Sequence, residues 1–191
     1  TNLENRQSFI YATAYMDIRT ASVMEMVGND NGSMKDRLFE LYFQRHYSWI
    51  VPDKDAISMI KKYTNSILEI GAGTGLWAKL LQNNNIEVIA TDLMDEKYTE
   101  YYKKSWTDVE KMDCVEAVKK YRDVESLMLI WPHPESMFSF IEAMREFRGD
   151  KVIIVTLEKY ENKEWELVES KPLTNLDWSD PPHLHLLKRK L

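Results

Sequence analysis

A glycine-rich segment between an apolar run and an amphipathic stretch is the feature that most constrains the fold of this chain. Residues 67–70 form a short apolar run that contains the acidic Glu69, and Gly71-Ala72-Gly73-Thr74-Gly75 follows directly. Residues 76–84 then carry apolar side chains at helical spacing. Glycine is needed where the backbone turns sharply and where a ligand must approach the main chain without a Cβ in the way. The segment therefore predicts a strand, a ligand-binding turn and a helix.

The same alternation of strand and helix patterns continues towards the C-terminus. Short apolar runs are typical of buried parallel strands, and they occur at residues 88–90, 127–131 and 151–156. Amphipathic stretches predict helices at residues 95–104, 114–121 and 135–147. Residues 164–169 and 183–188 read as two antiparallel strands at the end of the sheet. The pattern predicts a doubly wound α/β sheet with helices on both faces.

The first third of the chain has helical spacing instead. One apolar stripe runs along residues 9–27, a second helix is expected from Ser33 to about His46, and a third follows Pro52-Asp53. We expect a helical cap over residues 1–63 and an α/β core over residues 64–191, together forming one domain.

The spacing of the glycines distinguishes two kinds of nucleotide site. A dinucleotide-binding turn has the spacing G-x-G-x-x-G, which would place glycine or alanine where this chain has Leu76. The observed G-x-G-x-G resembles motif I of the class I methyltransferases that use S-adenosylmethionine (SAM). The resemblance implies a Rossmann-like, mostly parallel seven-stranded sheet with an antiparallel C-terminal hairpin. It also implies that the methionine part of SAM is surrounded by Glu69, Gly71, Ala72, Gly73 and Gly75.

Two aspartates follow the next strands. Asp92 ends the run after the glycine turn, where a carboxylate can accept both ribose hydroxyls of either SAM or NAD. In a methyltransferase the loop at residues 111–114 meets the adenine, and Asp113 could accept its amino hydrogens. Asp113 could equally cap the helix that starts near Cys114, and both roles can coexist. The remaining predicted cofactor contacts are Trp77, Leu93, Cys114 and Trp131.

Trp131-Pro132-His133-Pro134 ends the fourth strand, at the edge of the sheet where acceptor chemistry is expected. Amino-methylating enzymes carry an Asp- or Asn-Pro-Pro-aromatic motif there, but Trp131 has no oxygen to accept a hydrogen bond from an amine. Methylation of adenine or of glutamine amides is therefore not expected. His133 is the candidate general base, and Trp131 is the second candidate catalytic residue. The alternative for His133 is an ordinary surface histidine in a proline-flanked turn.

Aromatic residues cluster near these motifs. Tyr11, Tyr15, Tyr47, Trp49 and Trp77 could line an acceptor pocket or hold the sulfonium by cation–π contact, or they could pack in the core. Three motifs occur in a fixed order: Ser48-Trp49 with Pro52, then the glycine turn, then Trp131-Pro132. This order resembles that of a poorly described group of methyltransferase-like proteins. That resemblance covers about residues 47–191.

Composition limits the partners. The net charge of −6 and a pI of about 5.3 give no general attraction to phosphate backbones, so a small-molecule or protein acceptor is favoured over nucleic acid. Cys114 is the only cysteine, and His183 and His185 lack companion ligands, so no metal site is expected. The longest apolar runs are far shorter than the roughly 20 residues of a membrane-spanning helix. We expect a cytoplasmic protein.

Four hypotheses follow from the sequence. The favoured one is a SAM-dependent methyltransferase with an unidentified acceptor. The second is a non-catalytic SAM-binding regulatory or assembly protein, because position 131 lacks an amine acceptor. The third, an NAD-dependent oxidoreductase, is disfavoured by Leu76. The last is a βαβ turn that binds no nucleotide.

Overall fold

The computed structural model describes residues 47–94, 105–157, 163–173 and 181–190. In that part of the chain helices cover both faces of one sheet. The helices are α1 (Lys54–Tyr63), α2 (Leu76–Gln82), α3 (Cys114–Lys120) and α4 (Met137–Glu146), with a 3-10 turn at Pro134–Ser136. The strands are β1 (Ser66–Ile70), β2 (Glu87–Asp92), β3 (Val109–Lys111), β4 (Ser126–Ile130), β5 (Lys151–Thr156), β6 (Trp165–Pro172) and β7 (His183–Arg189).

The order of the strands creates the ligand crevice. They lie in the order β3-β2-β1-β4-β5-β7-β6, and β1 is parallel to both β2 and β4. The chain winds outward from β1 to β3 and then returns to β4, so the carboxyl ends of β1 and β4 mark the point where the winding reverses. Strand β7 is antiparallel to β5 and β6. The predicted mostly parallel seven-stranded sheet with an antiparallel hairpin is confirmed.

Alternate residues of the central strands enter two separate cores. On one face Ile67 and Met128 pack with the apolar sides of α1 and α2. On the other face Leu68 and Leu127 pack with α3 and α4. Strands covered on both sides read as continuous apolar runs, which is why these segments could be identified from the sequence.

Polar contacts fasten α1 to the C-terminal hairpin. Asp53 caps the helix by accepting the Ala56 N–H at 2.7 Å, and it also accepts a 2.6 Å contact from Lys171 of β6. The Tyr63 hydroxyl at the other end donates to the Leu187 carbonyl of β7 at 2.5 Å. Helix α1, predicted as part of a cap, is thus bound to the sheet.

Several predicted boundaries shift. Strand β4 ends at Ile130 rather than Trp131, and the predicted helix over residues 135–147 begins as the 3-10 turn before α4. A register shift between Leu167 and Glu169 interrupts the pairing of β6 with β7. The first two predicted helices and the one at 95–104 lie outside the described residues, so the division into cap and core stays a prediction. No helix in the described ranges is long and apolar enough to cross a membrane.

The core beside α4 provides a test of the packing. Phe147 is 2% exposed and its ring lies against Gly149, whereas Phe138 at the start of the same helix is 87% exposed. We expect Phe147→Ala to lower the free energy of unfolding by about 3–5 kcal/mol, through lost burial and the cavity left behind. The matched Phe138→Ala should stay within about 0.5 kcal/mol of the parent chain in urea unfolding. Equal effects of the two substitutions would contradict this packing.

Candidate functional site

A cleft of about 640 Å³ lies at the carboxyl ends of the parallel strands. Its walls come from the segments that follow β1, β2, β3 and β4, together with Ser48, Trp49 and the first turns of α4. This is where open α/β proteins hold their ligands, and the volume suits a small molecule.

The glycine turn forms the floor of the cleft. Gly71 and Gly73 have φ values of +67° and +55°, a conformation that glycine adopts without strain. A Cβ on Gly71 would lie 3.0 Å from Cζ of Phe140. The Ala72 N–H donates to the Thr91 carbonyl at 3.0 Å, which ties the turn to β2. The turn therefore presents bare main chain to the cleft in a fixed position.

Gly75 has a different role from the one predicted. It precedes α2 with φ +72°, and a Cβ there would lie 2.9 Å from Val109 Cγ2 and 3.0 Å from Thr107 Cγ2. It is not among the residues that line the cleft. The third glycine of the motif thus allows β3 and the segment before it to pack closely, so the structure does not place Gly75 with the predicted cofactor contacts.

Glu69 is a buried acid in the central strand. It is 1% exposed, and burial, together with the nearby Asp92 carboxylate, raises its pKa to about 8 even though the Ala78 N–H donates to it. Its Oε2 has no hydrogen-bond partner within the described part of the chain, although Glu69 lines the cleft. A buried carboxyl oxygen without a partner is unfavourable, and a ligand group that donates a hydrogen bond or carries positive charge would relieve it.

Asp92 stands at the end of β2 and is held by main-chain donors. Its Oδ2 accepts the Gly73 N–H at 2.8 Å and its Oδ1 accepts the Met94 N–H at 2.8 Å. Each carboxylate oxygen can accept more than one hydrogen bond, so both can still accept hydroxyl groups of a ligand. The carboxylate is thus preorganised at the cleft wall.

Asp113 caps α3, one of its two predicted roles. Its Oδ1 accepts the N–H groups of Val115 at 2.8 Å and Glu116 at 3.3 Å. The cap uses one carboxylate oxygen, so binding of a ligand amino group by the other is compatible with it. Next to it, burial and the Asp113 carboxylate raise the pKa of Cys114 to about 11. Cys114 therefore lines the cleft as a neutral thiol at neutral pH rather than as a nucleophile.

Trp131 occupies a strained backbone position. Its φ is +56°, which is rare for a bulky side chain and costs on the order of 1–3 kcal/mol. Its N–H donates to the Val155 carbonyl of β5 at 3.1 Å, and its side chain lines the cleft. Such strain is concentrated at functional sites, where surrounding structure maintains it. The sequence predicted an ordinary strand end here, whereas β4 ends at Ile130 and Trp131 begins a turn at positive φ.

His133 caps the 3-10 turn. Its Nδ1 accepts the Glu135 N–H at 3.3 Å, so the neutral ring carries its proton on Nε2. It lines the cleft as predicted. In this geometry its lone pair is engaged, and the side chain would have to leave the cap before it could accept a proton from a substrate.

The segment at residues 47–51 is fastened to the glycine turn. The Thr74 hydroxyl donates to the Tyr47 carbonyl, and the Trp77 indole donates to the Ile50 carbonyl at 2.7 Å. Trp77 is 2% exposed, so it is a core residue at the base of the cleft. These contacts place Ser48 and Trp49 in the cleft wall.

The structure thus brings the predicted site residues together in one cleft, with Gly75 as the exception. Tyr47 is buried in the core, and Tyr11 and Tyr15 lie outside the described residues. Sequence reasoning missed Phe140 and Ser139 as cleft residues. Phe140 carries no signal in the sequence, because only the fold brings α4 against Gly71. Within the described ranges, no group of three or more His, Cys, Asp or Glu could hold a metal ion.

Comparisons with known proteins support the fold. No family model and no curated protein matches the sequence. Among solved structures, TrmN from Thermus thermophilus superposes with a TM-score of 0.51 at 16% identity, covering 71% of this chain and 48% of that one. A protein of the NADB-Rossmann superfamily from Streptococcus agalactiae gives 0.50 at 12% identity, covering 73% and 70%. The chain spans about half the length of TrmN.

These likenesses confirm the resemblance at the level of fold. The chain has a Rossmann-like fold. An rRNA methylase from Streptococcus thermophilus is also similar, with a TM-score of 0.49 at 12% identity over 74% of this chain and 99% of that one.

The strain at Trp131 can be measured directly. We expect Trp131→Gly to be more stable than Trp131→Ala by about 1 kcal/mol, because alanine keeps the left-handed strain and glycine does not. The matched pair at the exposed helical residue Glu142 should show the reverse order, with Glu142→Ala more stable by about 1 kcal/mol. Urea unfolding of the four variants gives both differences. The same order at both positions would contradict the backbone assigned to Trp131.

Burial of Glu69 predicts a pH-dependent stability. The pKa of Glu69 is about 4.5 in the unfolded chain and about 8 in the folded protein. Between these two pH values the unfolded chain releases the proton of Glu69 and the folded protein keeps it. The free energy of unfolding therefore falls as the pH rises through this range. The advantage of Glu69→Gln over the parent chain should grow by up to about 1.4 kcal/mol per pH unit across that window. Denaturant unfolding on either side of neutral pH measures it, with the exposed Glu87→Gln as control. Parallel profiles for Glu69→Gln and the parent would count against the burial.

Proposed function

We propose that this protein is a SAM-dependent methyltransferase. The observation that carries the proposal is the unpartnered, buried Glu69 Oε2 in a cleft whose floor is the bare Gly71–Gly73 main chain. A buried acid beside a glycine cradle suits a ligand that presents a cationic group close to the backbone.

The residues of the cleft fit SAM part by part. Glu69 would bind the ammonium of the methionine moiety, with Gly71, Ala72 and Gly73 allowing its close approach. Asp92, already oriented by main-chain donors, would accept the ribose hydroxyls. Asp113 would accept the adenine amino group with the oxygen that the helix cap does not use. The other predicted contacts, Leu93, Cys114, Trp77 and Trp131, line the same cleft and would form apolar surroundings for the cofactor.

Bound SAM supplies an electrophilic methyl group, and the protein supplies alignment for its in-line displacement. The acceptor side would consist of Trp49, Trp131, the turn at residues 132–136 and Phe140, all in the same cleft. Their apolar surfaces exclude water from the reacting groups. His133 would serve as a base only after releasing the Glu135 N–H.

A non-catalytic SAM-binding protein is the second candidate. Two observations favour it: Trp131 has no acceptor atom where amino-methylating enzymes place one, and the His133 lone pair is engaged in a cap. Incubation with labelled SAM and cell extract separates the two candidates. Transfer of label to any acceptor supports the enzyme, whereas binding without transfer supports the regulator. A cytoplasmic location stays a prediction.

Cofactor binding is tested with the demethylated product, S-adenosylhomocysteine (SAH). We expect SAH, and not NAD, to raise the melting temperature. Asp92→Asn should weaken SAH about 10-fold or more in calorimetry, since it removes the charge that the ribose hydroxyls bind.

The control is Asp108→Asn, because Asp108 is exposed and does not line the cleft. Its SAH affinity should match that of the parent chain. An SAH affinity of Asp92→Asn equal to that of the parent chain would refute the assigned site, and stabilisation by NAD alone would refute the cofactor.

A further inference from the structure

The charges of the cleft are of one sign. The acidic side chains that line it within the described residues are Glu69, Asp92, Asp113 and Glu135, and no lysine or arginine of those residues lines it. A concave surface lined by one sign of charge concentrates ligands of the opposite sign. This lining favours a cation and disfavours a phosphate-bearing acceptor.

Three of these acids have a place in the proposed cofactor site, and one does not. Glu69, Asp92 and Asp113 follow or belong to β1, β2 and β3, on the side of the glycine turn. Glu135 belongs to the 3-10 turn after β4, is exposed, and lies on the acceptor side with Trp131. The acceptor side therefore carries a negative charge that the cofactor does not use.

Aromatic side chains line the same side. Trp49 is held beside the glycine turn through the contacts of Tyr47 and Ile50, Trp131 is fixed by its strained turn, and Phe140 lies against Gly71. Aromatic faces attract ammonium groups, and the attraction grows when the site excludes water. Aromatic rings with one carboxylate are the surroundings that recognise alkylated ammonium ions.

We propose that the methyl acceptor is an aliphatic amine, carried by a small molecule or by a lysine side chain, with Trp49, Trp131 and Glu135 as its binding residues. This inference rests on the proposed SAM site. Glu135 attracts the protonated amine, which releases its proton to the surrounding water before it reacts. The nitrogen lone pair then forms a bond to the methyl carbon as the carbon–sulfur bond breaks. Its electron pair goes to sulfur, leaving SAH and a methylated amine.

The test measures binding rather than turnover. Ligand-observed NMR on the full chain saturated with SAH compares choline with its neutral isostere 3,3-dimethylbutan-1-ol. We expect choline to bind at least about three-fold more tightly, as a cation over aromatic faces requires. Trp131→Leu and Glu135→Gln should each reduce that preference, and Glu135→Gln should keep the SAH affinity of the parent chain. Glu146→Gln, an exposed acid of α4 outside the cleft, is the control.

Each outcome decides one proposal. Equal binding of choline and the isostere in protein that binds SAH overturns the amine acceptor and leaves the proposed function intact. Failure to bind SAH overturns both. A second arm with a trimethyllysine peptide separates the sources of the amine: tighter binding than choline indicates a protein side chain, and binding no tighter than choline indicates a small amine.

Discussion

The glycine turn after β1 is the constraint on which the rest of the site depends. Its Ala72 N–H donates a hydrogen bond to the end of β2, and its Gly73 N–H orients the Asp92 carboxylate. The Thr74 carbonyl accepts a hydrogen bond from the Trp106 N–H at 2.8 Å. The Thr74 hydroxyl also holds the segment that carries Trp49. One short turn thus sets the positions of two cleft walls, which a turn with side chains at positive φ could not do without strain.

The buried Glu69 shows how stability is exchanged for binding. A carboxyl group inside a sheet with one unpartnered oxygen opposes folding, and apolar packing on both faces of the sheet offsets it. A cationic ligand removes that penalty when it binds, so part of the binding energy is stored in the folded protein. Trp131 stores energy in a second way, through its backbone. Both residues face the same cleft.

Much of the fold could be predicted because it follows from local patterns. Buried parallel strands leave uninterrupted apolar runs, and the glycine turn marks the crevice, so Asp92 and Asp113 could be placed as well. Contacts between distant segments leave no such mark. Nothing near Gly75 reveals that Thr107 and Val109 press against it, and nothing near Phe140 reveals Gly71. The conformation of Trp131 is set by its pairing with Val155, which periodicity does not record.

The irregular pairing of β6 has a consequence for how the molecule behaves among copies of itself. An open sheet has two edges, and each could recruit a strand from a neighbouring chain. Among the described strands, one edge is β3, which is three residues long. The other, β6, is broken by the register shift beside Glu169 and carries the charged Glu166 and Lys171. Edge strands that are interrupted, charged or very short offer an incoming strand no continuous row of backbone hydrogen bonds. This architecture therefore resists edge-to-edge aggregation.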